Sequence, residues 1–288
     1  MRDYQNYLPL PAGNVLVLQK EEMLMNYTKE DHTFMICAYQ ENPYLENCIC
    51  SILNQSVLGK VKLSTSTPNE YIKGLAKKYS LSLVYNSGKG DAVDNFNFAY
   101  AQADTKLVTL CHQDDYYNSL YLETVLQGVN QKKEPIIIYT DYYEDRGNKI
   151  IETNLLLTIK RIMNYPLRFS FFQGNRWVRK RILSFGNPIC CPAVTFCKAN
   201  ISGVPFSGVW KNSFDWDAWL RLSVQRGKFI YCPGKLMAHR IWENSITTET
   251  ISDGVRENED YRILCSLWPH PIAKMIFRLY KKSQNSNN

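Results

Sequence analysis

The sequence predicts an α/β fold built on a Rossmann-like, doubly wound and mostly parallel sheet. Apolar strand-like runs alternate with segments of helical periodicity through the first half of the chain. The links between them are short, which implies right-handed crossovers. The run at residues 106–111 is followed by two adjacent carboxylates, Asp114 and Asp115. Such a pair is expected where open α/β sheets bind their ligands, at the carboxyl ends of the strands.

The first strand and helix are predicted at residues 33–53. Residues 33–39, Thr-Phe-Met-Ile-Cys-Ala-Tyr, have the composition of a buried strand. We expect Asn42 to cap the following helix, with Pro43 at its first position. Helical spacing then continues through Leu45, Cys48, Ile49, Ile52 and Leu53.

The next units repeat this alternation. Residues 61–65 predict a second strand, and Thr67-Pro-Asn-Glu70 predicts a capping box that opens a second helix. The apolar face of that helix comprises Ile72, Leu75, Ala76 and Tyr79. Residues 81–85 predict a third strand, before a helix whose apolar positions are Val93, Phe96, Tyr100 and Ala103.

The second half is less regular. We expect a strand at residues 135–139, a charged hairpin or loop at 141–151, a helix at 212–224 and a short strand at 229–232. Residues 165–185 are aromatic and basic without a clear period, and the polar tail 283–288 is predicted to be disordered.

Composition indicates a globular protein, with 45% hydrophobic and 13% aromatic residues among 288. No apolar stretch reaches the roughly 18 residues that span a bilayer, and the N-terminus lacks the apolar segment of a signal peptide. Nine scattered cysteines show no disulfide framework, and four histidines without a CxxC pair argue against structural zinc. We therefore expect a cytoplasmic protein.

The formal charge of +7 comes from local clusters. Residues 161–181 carry six cations and no acid, and residues 272–282 are basic and amphipathic. An anionic membrane surface, a pyrophosphate-bearing substrate or nucleic acid would suit such clusters, although each could also be ordinary solvated surface.

The adjacent carboxylates of Asp114 and Asp115 would repel each other without a counter-ion. Mg²⁺ or Mn²⁺ would relieve that repulsion and could bridge to substrate phosphates. A solvated turn is the alternative interpretation, because Asp-Asp-Tyr-Tyr-Asn is also good loop sequence.

Four motifs in order resemble glycosyltransferase family 2, whose fold is GT-A. Residues 33–41 and 44–55 are similar to its opening strand and helix, and His112-Gln-Asp-Asp115 lies where the family carries an Asp-x-Asp metal motif. Residues 214–221 resemble the helix that supplies the catalytic base, and residues 238–245 resemble the late His/Arg segment over the diphosphate. The resemblance covers about residues 32–250.

The resemblance implies a domain organisation and an activity. An N-terminal extension (1–31) would precede a GT-A domain (32–250), with a nucleotide-sugar half (32–120) and a less regular acceptor and catalytic-base half (121–250). A basic amphipathic helix and polar tail (251–288) would follow. The implied reaction is inverting, metal-dependent transfer of a hexose from a UDP-linked or similar donor, with Mn²⁺ or Mg²⁺. The acceptor would be a hydroxyl of a glycan, lipid-linked or protein-linked molecule in surface polysaccharide or glycoconjugate assembly.

The resemblance also implies the site residues. Asp215 is the expected base and Asp217 the alternative; on a helix they point about 200° apart, so only one can face the site. The expected nucleotide-sugar residues are Ala38, Tyr39, Glu41, Thr65, Asp94, His112, Asp114 and Arg240. The expected metal ligands are Asp114, Asp115 and His239.

The chain departs from the family pattern at several positions. The usual Asp-Asp-Gly-Ser turn after the second strand is replaced by residues 63–68, Leu-Ser-Thr-Ser-Thr-Pro, so that the hydroxyls of Ser64, Thr65 or Ser66 would have to recognise the base. His112 stands at the first motif position, where imidazole can still ligate Mn²⁺. Phe214 replaces a glutamate, and Trp242 stands where a second histidine is common.

These departures leave alternative functions. A catalytically weakened module that holds a nucleotide sugar or glycan without turnover is one alternative. A nucleotidyltransferase is another, but it should carry a Gly-rich loop after the first strand, and residues 38–42 contain no glycine. Nucleic-acid binding is disfavoured, because a carboxylate pair repels phosphate without metal.

We expect residues 165–181 to form the acceptor side and a lid. Peripheral contact with the inner membrane face and a homo-oligomer are left open.

Overall fold

The computed structural model describes residues 26–242 and 255–285, and the strands in these ranges join one nine-stranded sheet. The strands are β1 His32–Ala38, β2 Lys60–Thr65, β3 Ser82–Tyr85, β4 Leu107–His112, β5 Tyr116–Tyr117, β6 Pro135–Asp145, β7 Ile150–Ile151, β8 Val194–Cys197 and β9 Lys228–Arg240. Their order is β3-β2-β1-β4-β8-β6-β9-β5, and β7 pairs with β6. The segments 1–25, 243–254 and 286–288 lie outside the described residues, so most of the predicted N-terminal extension is not described.

Helices cover both faces of the sheet. They are α1 Leu45–Leu53, α2 Glu70–Lys78, α3 Ala92–Gln102, α4 Tyr121–Asn130, α5 Leu155–Asn164, α6 Ser170–Gln173, α7 Arg176–Leu183, α8 Phe214–Ser223, α9 Val255–Leu267 and α10 His270–Asn285. One apolar core includes buried residues of α3, α7, α8 and α9, and a second includes those of α1, α2 and α4. The predicted doubly wound architecture is therefore confirmed.

Strands β3, β2, β1 and β4 pair in parallel, as predicted. Phe34, Met35 and Ile36 are fully buried in β1, because helices cover both faces of a parallel sheet and its strands are continuous apolar runs. Strand β8 is antiparallel to both β4 and β6, whereas β6 and β9 form a long parallel ladder. Most paired residues lie in parallel ladders, so the sheet is mixed but mostly parallel.

Two helix starts differ from the predictions. The second helix has no capping box at Thr67; its N-cap is Asn69, whose extended backbone lets the side chain accept a hydrogen bond from the backbone N of Ile72. Asn42 does not cap α1 directly. Its side chain accepts from the backbone N of Tyr44 at 2.8 Å, in a turn before the helix begins at Leu45.

The strand predicted at 229–232 is much longer, and so is the one at 135–139. Strands β6 and β9 pair along their whole length, from Pro135 with Lys228 to Asp145 with Arg240, and the register shifts near Thr140. The local sequence does not indicate this ladder, because Pro233 and Gly234 interrupt the strand pattern of β9 and charged residues end both strands. The charged hairpin expected at 141–151 is confirmed by the antiparallel pairing of β6 with β7.

The C-terminal segment was expected to hold one basic amphipathic helix and a polar tail; it instead holds two helices, α9 and the amphipathic α10, and part of the expected tail is helical. Helix α10 continues through Asn285, so residues 283–285 of the expected tail are helical. Ala273 and Ile276 are buried in the first core, while Met275 and Leu279 are exposed. In the part of the chain that the structure describes, no helix is long and apolar enough to cross a membrane.

Candidate functional site

A cluster of possible metal ligands lies at the carboxyl end of β4. Single ligand atoms of His112, Asp114 and Asp115 all lie within 4.8 Å of one another. Asp115 is fully buried. Its Oδ2 and the Nε2 of His112 are buried and have no hydrogen-bond partner among the described residues. Unsatisfied buried polar atoms are costly, so these residues fit a divalent cation that accepts carboxylate oxygen and imidazole nitrogen.

The charges within this cluster perturb one another. Burial raises the pKa of Asp114, and the neighbouring Asp115 raises it further. The indole of Trp242 opposes this by donating to Asp114 Oδ2 at 3.0 Å. Burial lowers the pKa of His112, and the carboxylates of Asp115, Asp114 and Asp215 oppose the change. A neutral imidazole at His112 keeps a nitrogen lone pair for a metal.

Strand β9 brings the predicted His239 and Arg240 to Asp115. The Nδ1 of His239 lies 3.1 Å from Asp115 Oδ1, and the backbone N of Arg240 donates to the same oxygen at 2.9 Å. Burial would lower the pKa of His239, but the charge of Asp115 and its hydrogen bond outweigh it and raise the pKa. His239 thus contacts Asp115 of the cluster, and the role of each residue as a metal ligand stays a prediction.

The side chain of Arg240 is buried in a cage of protein groups. Its Nη2 lies 3.3 Å from Asp145 Oδ2 and 3.2 Å from Asn47 Oδ1. Its guanidinium carbon lies 3.9 Å from the ring centroid of Tyr44 and 5.1 Å from that of Tyr116. Arg240 therefore holds β9 against α1 and β5, and its contact with the metal cluster is made by its backbone.

The two candidate bases lie in different surroundings on α8. Asp215 is the second residue of the helix and accepts a hydrogen bond from Asn187 Nδ2 at 2.8 Å. Its charge acts on His112. Asp217 accepts instead from Ser207 Oγ at 2.7 Å and from Arg221 Nε at 2.8 Å, in an i, i+4 ion pair. Of the two carboxylates, Asp215 is the one near the metal cluster.

The segment after β1 that was predicted to bind the nucleotide is hydrogen-bonded to residues 112–115, which we call the metal loop. Ala38 is buried, Glu41 is exposed, and the Tyr39 side chain is 39% exposed and so accessible to a ligand. The backbone N of Tyr39 donates to Gln113 Oε1 at 2.8 Å, and Gln113 Nε2 donates back to Tyr39 O at 3.0 Å. Gln113 lies between His112 and Asp114, so this pair of hydrogen bonds joins the end of β1 to the cluster.

Thr65 is the last residue of β2, and Asp94 lies in the first turn of α3. Thr65 is buried, and its hydroxyl accepts from the backbone N of Thr67 at 3.1 Å. Asp94 Oδ2 accepts from Gly90 N at 3.0 Å and from Asn86 Nδ2 at 2.8 Å. These hydrogen bonds lower the pKa of Asp94.

Two features lie beside these residues. A Cβ at Gly88 would lie only 2.5 Å from Asp94 Oδ2, so this loop needs glycine for its close approach. The Oγ of Ser66 is buried without a hydrogen-bond partner among the described residues. Ser66 is one of the hydroxyls proposed from sequence to replace the missing carboxylate.

Sequence reasoning missed Lys160 and Asn187. Lys160, on α5, donates to Tyr142 Oη at 2.8 Å, and the Tyr142 ring centroid lies 6.3 Å from that of His239. Lys160 lies three residues after the buried Leu157, on the helix face that also carries the buried Asn164, and this spacing alone does not indicate a functional residue. Asn187, which orients Asp215, follows a glycine in an irregular segment and gave no signal either.

Comparisons with known proteins fit this geometry. The family model described as "Glycosyl transferase family 2" matches residues 33–187. The structure of S. aureus TarS 1–349 in complex with UDP-GlcNAc is similar, with a TM-score of 0.58, 14% identity, and coverage of 89% of this chain and 73% of that one. No curated protein matches the sequence.

A second similar structure is that of a mannosyltransferase. The mannosyltransferase PcManGT from Pyrobaculum calidifontis, in complex with GDP-Man and Mn²⁺, has a TM-score of 0.56 and 12% identity, covering 90% of this chain and 76% of that one. The longer TarS structure is covered over only 42% of its length. At these identities the likeness establishes the fold, which is GT-A, as predicted.

Proposed function

Because this chain belongs to glycosyl transferase family 2, whose model matches more than half of it, we propose that it is an inverting, metal-dependent hexosyltransferase. The donor is a nucleoside-diphosphate hexose, UDP-linked in our proposal. The acceptor is a hydroxyl of a glycan, lipid-linked or protein-linked molecule used in surface polysaccharide or glycoconjugate assembly. TarS, crystallised with UDP-GlcNAc, supports a UDP sugar as the first donor to test.

The observation that carries the proposal is the cluster of His112, Asp114 and Asp115 with its two unsatisfied atoms. It lies at the carboxyl end of β4, where open α/β sheets bind ligands. We propose Asp114 and Asp115 as ligands of Mn²⁺ or Mg²⁺, with His112 or His239 supplying a nitrogen. Imidazole favours Mn²⁺ over Mg²⁺, and PcManGT was crystallised with Mn²⁺. When bound, the cation supplies positive charge that offsets the charge developing on the leaving diphosphate.

Asp215 is the proposed general base. The acceptor oxygen forms a bond to the anomeric carbon as that carbon's bond to the diphosphate oxygen breaks, and the acceptor proton passes to the Asp215 carboxylate. Attack from the face opposite the leaving group inverts the anomeric centre. Asn187 holds one carboxylate oxygen of Asp215 at 2.8 Å, which orients the base and lowers the entropic cost of the transfer.

The nucleotide is proposed to bind between the ends of β1 and β2 and the start of α3. Tyr39 offers an exposed ring next to the metal loop, and the Ser66 hydroxyl offers an unused hydrogen-bonding group. Asp94 fixes the loop at residues 86–90 that borders this space. Ala38, Glu41, Thr65 and Arg240 complete the proposed donor site, with Arg240 acting through its backbone.

We also propose cytoplasmic work at an anionic membrane surface. Within the basic segment 161–181, Arg161 pairs with Asp141 and Arg179 is fully buried, so neither is available to a membrane. The exposed apolar residues nearby are Phe171, Trp177, Met275 and Leu279, and the exposed cations are Arg168, Lys180, Arg181, Lys274 and Arg278. Apolar side chains among cations suit anionic lipid headgroups.

Donor hydrolysis tests the proposed function. Release of nucleoside diphosphate would be measured over a panel of nucleotide sugars, with and without Mn²⁺, for the wild-type protein and for Asp114→Ala. We expect metal-dependent turnover of one donor, lost in the variant. Metal-dependent binding without turnover, even with candidate acceptors, would favour the weakened binding module. Failure to bind any donor in the presence of metal would refute the proposal.

A further inference from the structure

Two cations near Asp215 have no role in the transfer proposed above. Lys160 lies on α5 and Arg256 on α9, and both are partly buried. The ammonium of Lys160 donates to the neutral Tyr142 Oη at 2.8 Å and lies 5.3 Å from that ring's centroid. Neither cation has a carboxylate within the 4.0 Å of an ion pair in the ranges 26–242 and 255–285.

The contacts of α9 bring Arg256 to the base. The carboxylate of Glu259 accepts from the backbone N atoms of Asn212 and Ser213, and Asp260 accepts from Ser213 Oγ at 2.7 Å. These bonds hold α9 against the start of α8, where Asp215 is the second residue. Arg256 lies one turn before Asp260 on the same side of α9. Its Nε is buried without a hydrogen-bond partner in the described chain.

The two cations act on each other and on the base. Burial lowers the pKa of Lys160 and the charge of Arg256 lowers it further, while Cys190, Glu144 and Asp215 oppose the change. Burial also disfavours charged Arg256, but Tyr280, Asp260 and Asp215 outweigh it and raise the pKa of the guanidinium. The charge of Lys160 is therefore poorly compensated in this partly dehydrated space, and the buried Nε of Arg256 has no hydrogen-bond acceptor among the described residues. An anion between them would relieve that cost.

We propose that Lys160 and Arg256 form a subsite for a phosphate group carried by the acceptor. The inference rests on the proposed function, since the attacking hydroxyl must lie beside Asp215 and these cations would contact what is attached to that hydroxyl. A guanidinium fork and an ammonium point charge together suit a phosphate ester. The donor diphosphate is assigned elsewhere, to the metal cluster of His112, Asp114 and Asp115.

Phosphate binding in the presence of nucleotide tests the subsite. Calorimetry would measure inorganic phosphate binding to the full chain saturated with UDP and Mg²⁺, which fills the donor site. We expect binding to weaken about tenfold in Lys160→Met and in Arg256→Met, as for the loss of one charge-assisted hydrogen bond. Lys160→Arg should retain binding. Lys77→Gln, which removes an exposed cation on α2, is the control and should bind phosphate as the wild type does.

Each remaining outcome decides against the subsite. It is overturned if wild type binds no phosphate, if binding survives both Met variants, or if UDP displaces phosphate competitively. Nucleotide binding by the wild type is measured in the same titrations. Nucleotide binding without phosphate binding rejects the subsite alone, whereas absence of both rejects the proposed function as well. If a Met variant unfolds at a lower temperature than the wild type, Lys160→Arg and Arg256→Lys still test whether phosphate affinity depends on the geometry of the hydrogen-bonding cations.

The phosphate ester could come from a soluble glycan phosphate or from a lipid. Glycerol 3-phosphate and a short-chain phosphatidic acid below its micelle concentration would be titrated against the same UDP-saturated protein. Tighter binding of glycerol phosphate supports a polyol or sugar phosphate acceptor, and tighter binding of the lipid supports a lipid phosphate. Binding of neither ester, alongside inorganic phosphate binding, would contradict the assignment to an acceptor.

Discussion

The imidazole of His239 contacts the carboxylate of Asp115 at 3.1 Å between Nδ1 and Oδ1, joining residues 124 positions apart in the chain. Together with the backbone N of Arg240, it satisfies Oδ1. The other oxygen of Asp115 is buried without a hydrogen-bond partner in the described residues. Strand β9 thus fixes the orientation of the carboxylate and leaves one oxygen for a cation.

Asp115→Asn should weaken Mn²⁺ binding at least about tenfold, because it removes a charge but keeps a carbonyl for His239 and Arg240. Calorimetric titration of the metal measures this. Asp104→Asn is the matched control, since Asp104 forms an ion pair with Lys62 at the surface. Equal Mn²⁺ affinity in wild type and Asp115→Asn would refute the metal assignment.

Asp215→Asn should lower kcat/KM by about 10²- to 10⁴-fold, the range for a lost general base. Donor affinity should change little by comparison, because the proposed role is proton transfer from the acceptor. Asp217→Asn should cost far less, since Asp217 is engaged by Ser207 and Arg221. Transfer kinetics and nucleotide titrations on both variants measure these effects, and a larger kcat/KM loss in Asp217→Asn would reverse the choice of base.

The fold should lose stability in acid through His32. This side chain is fully buried beside Thr109, and burial lowers its pKa to about 3 from its usual value of 6.5. The unfolded chain therefore binds the proton more tightly, and stability present above pH 6.5 is lost as pH falls toward 3. The slope is at most about 1.4 kcal/mol per pH unit.

Urea unfolding at several pH values measures that loss. His32→Gln should be less stable at neutral pH but should show a shallower fall between pH 6.5 and 4. A variant with the same slope as the wild type would mean that other groups control acid unfolding.

Anionic vesicles should bind the protein through the exposed apolar and cationic residues of α7 and α10. Burying a large apolar side chain contributes about 1.5–3 kcal/mol, so Trp177→Ser with Leu279→Ser should reduce co-sedimentation at least about tenfold. Binding should also weaken with salt. Leu120→Ser, an exposed position 49% accessible on a different helix end, is the control. Equal sedimentation of the double variant and wild type would remove these residues from any membrane contact.

The sequence predicted the first four strands because each carries its own apolar pattern, even where the strand is only partly buried, as β3 is. Strand β9 was underestimated, since Pro233 and Gly234 break its local pattern and its length depends on pairing with β6. The cage around Arg240 could not be foreseen for a similar reason. It is assembled from Tyr44, Tyr116 and Asp145, which are distant in sequence.

The candidate site also combines residues that local sequence predicts with residues that it does not. His112, Asp114 and Asp115 are neighbours in sequence, so a local motif was enough to predict that they cluster. The proximity of Lys160 to His239 depends on Tyr142 from β6 and is invisible to any local pattern. Residues that act through tertiary neighbours need the fold before they can be identified.

The reciprocal hydrogen bonds between Tyr39 and Gln113 make the end of β1 and the metal loop one mechanical unit. If the proposed ion leaves this loop, we expect the displacement to reach the backbone that carries the Tyr39 ring. In the proposed site, the base and the diphosphate of a donor would then be bound or released together. For protein engineering, we expect donor preference and metal preference at this end of the sheet to be coupled, and Gln113 is the residue whose substitution would uncouple them.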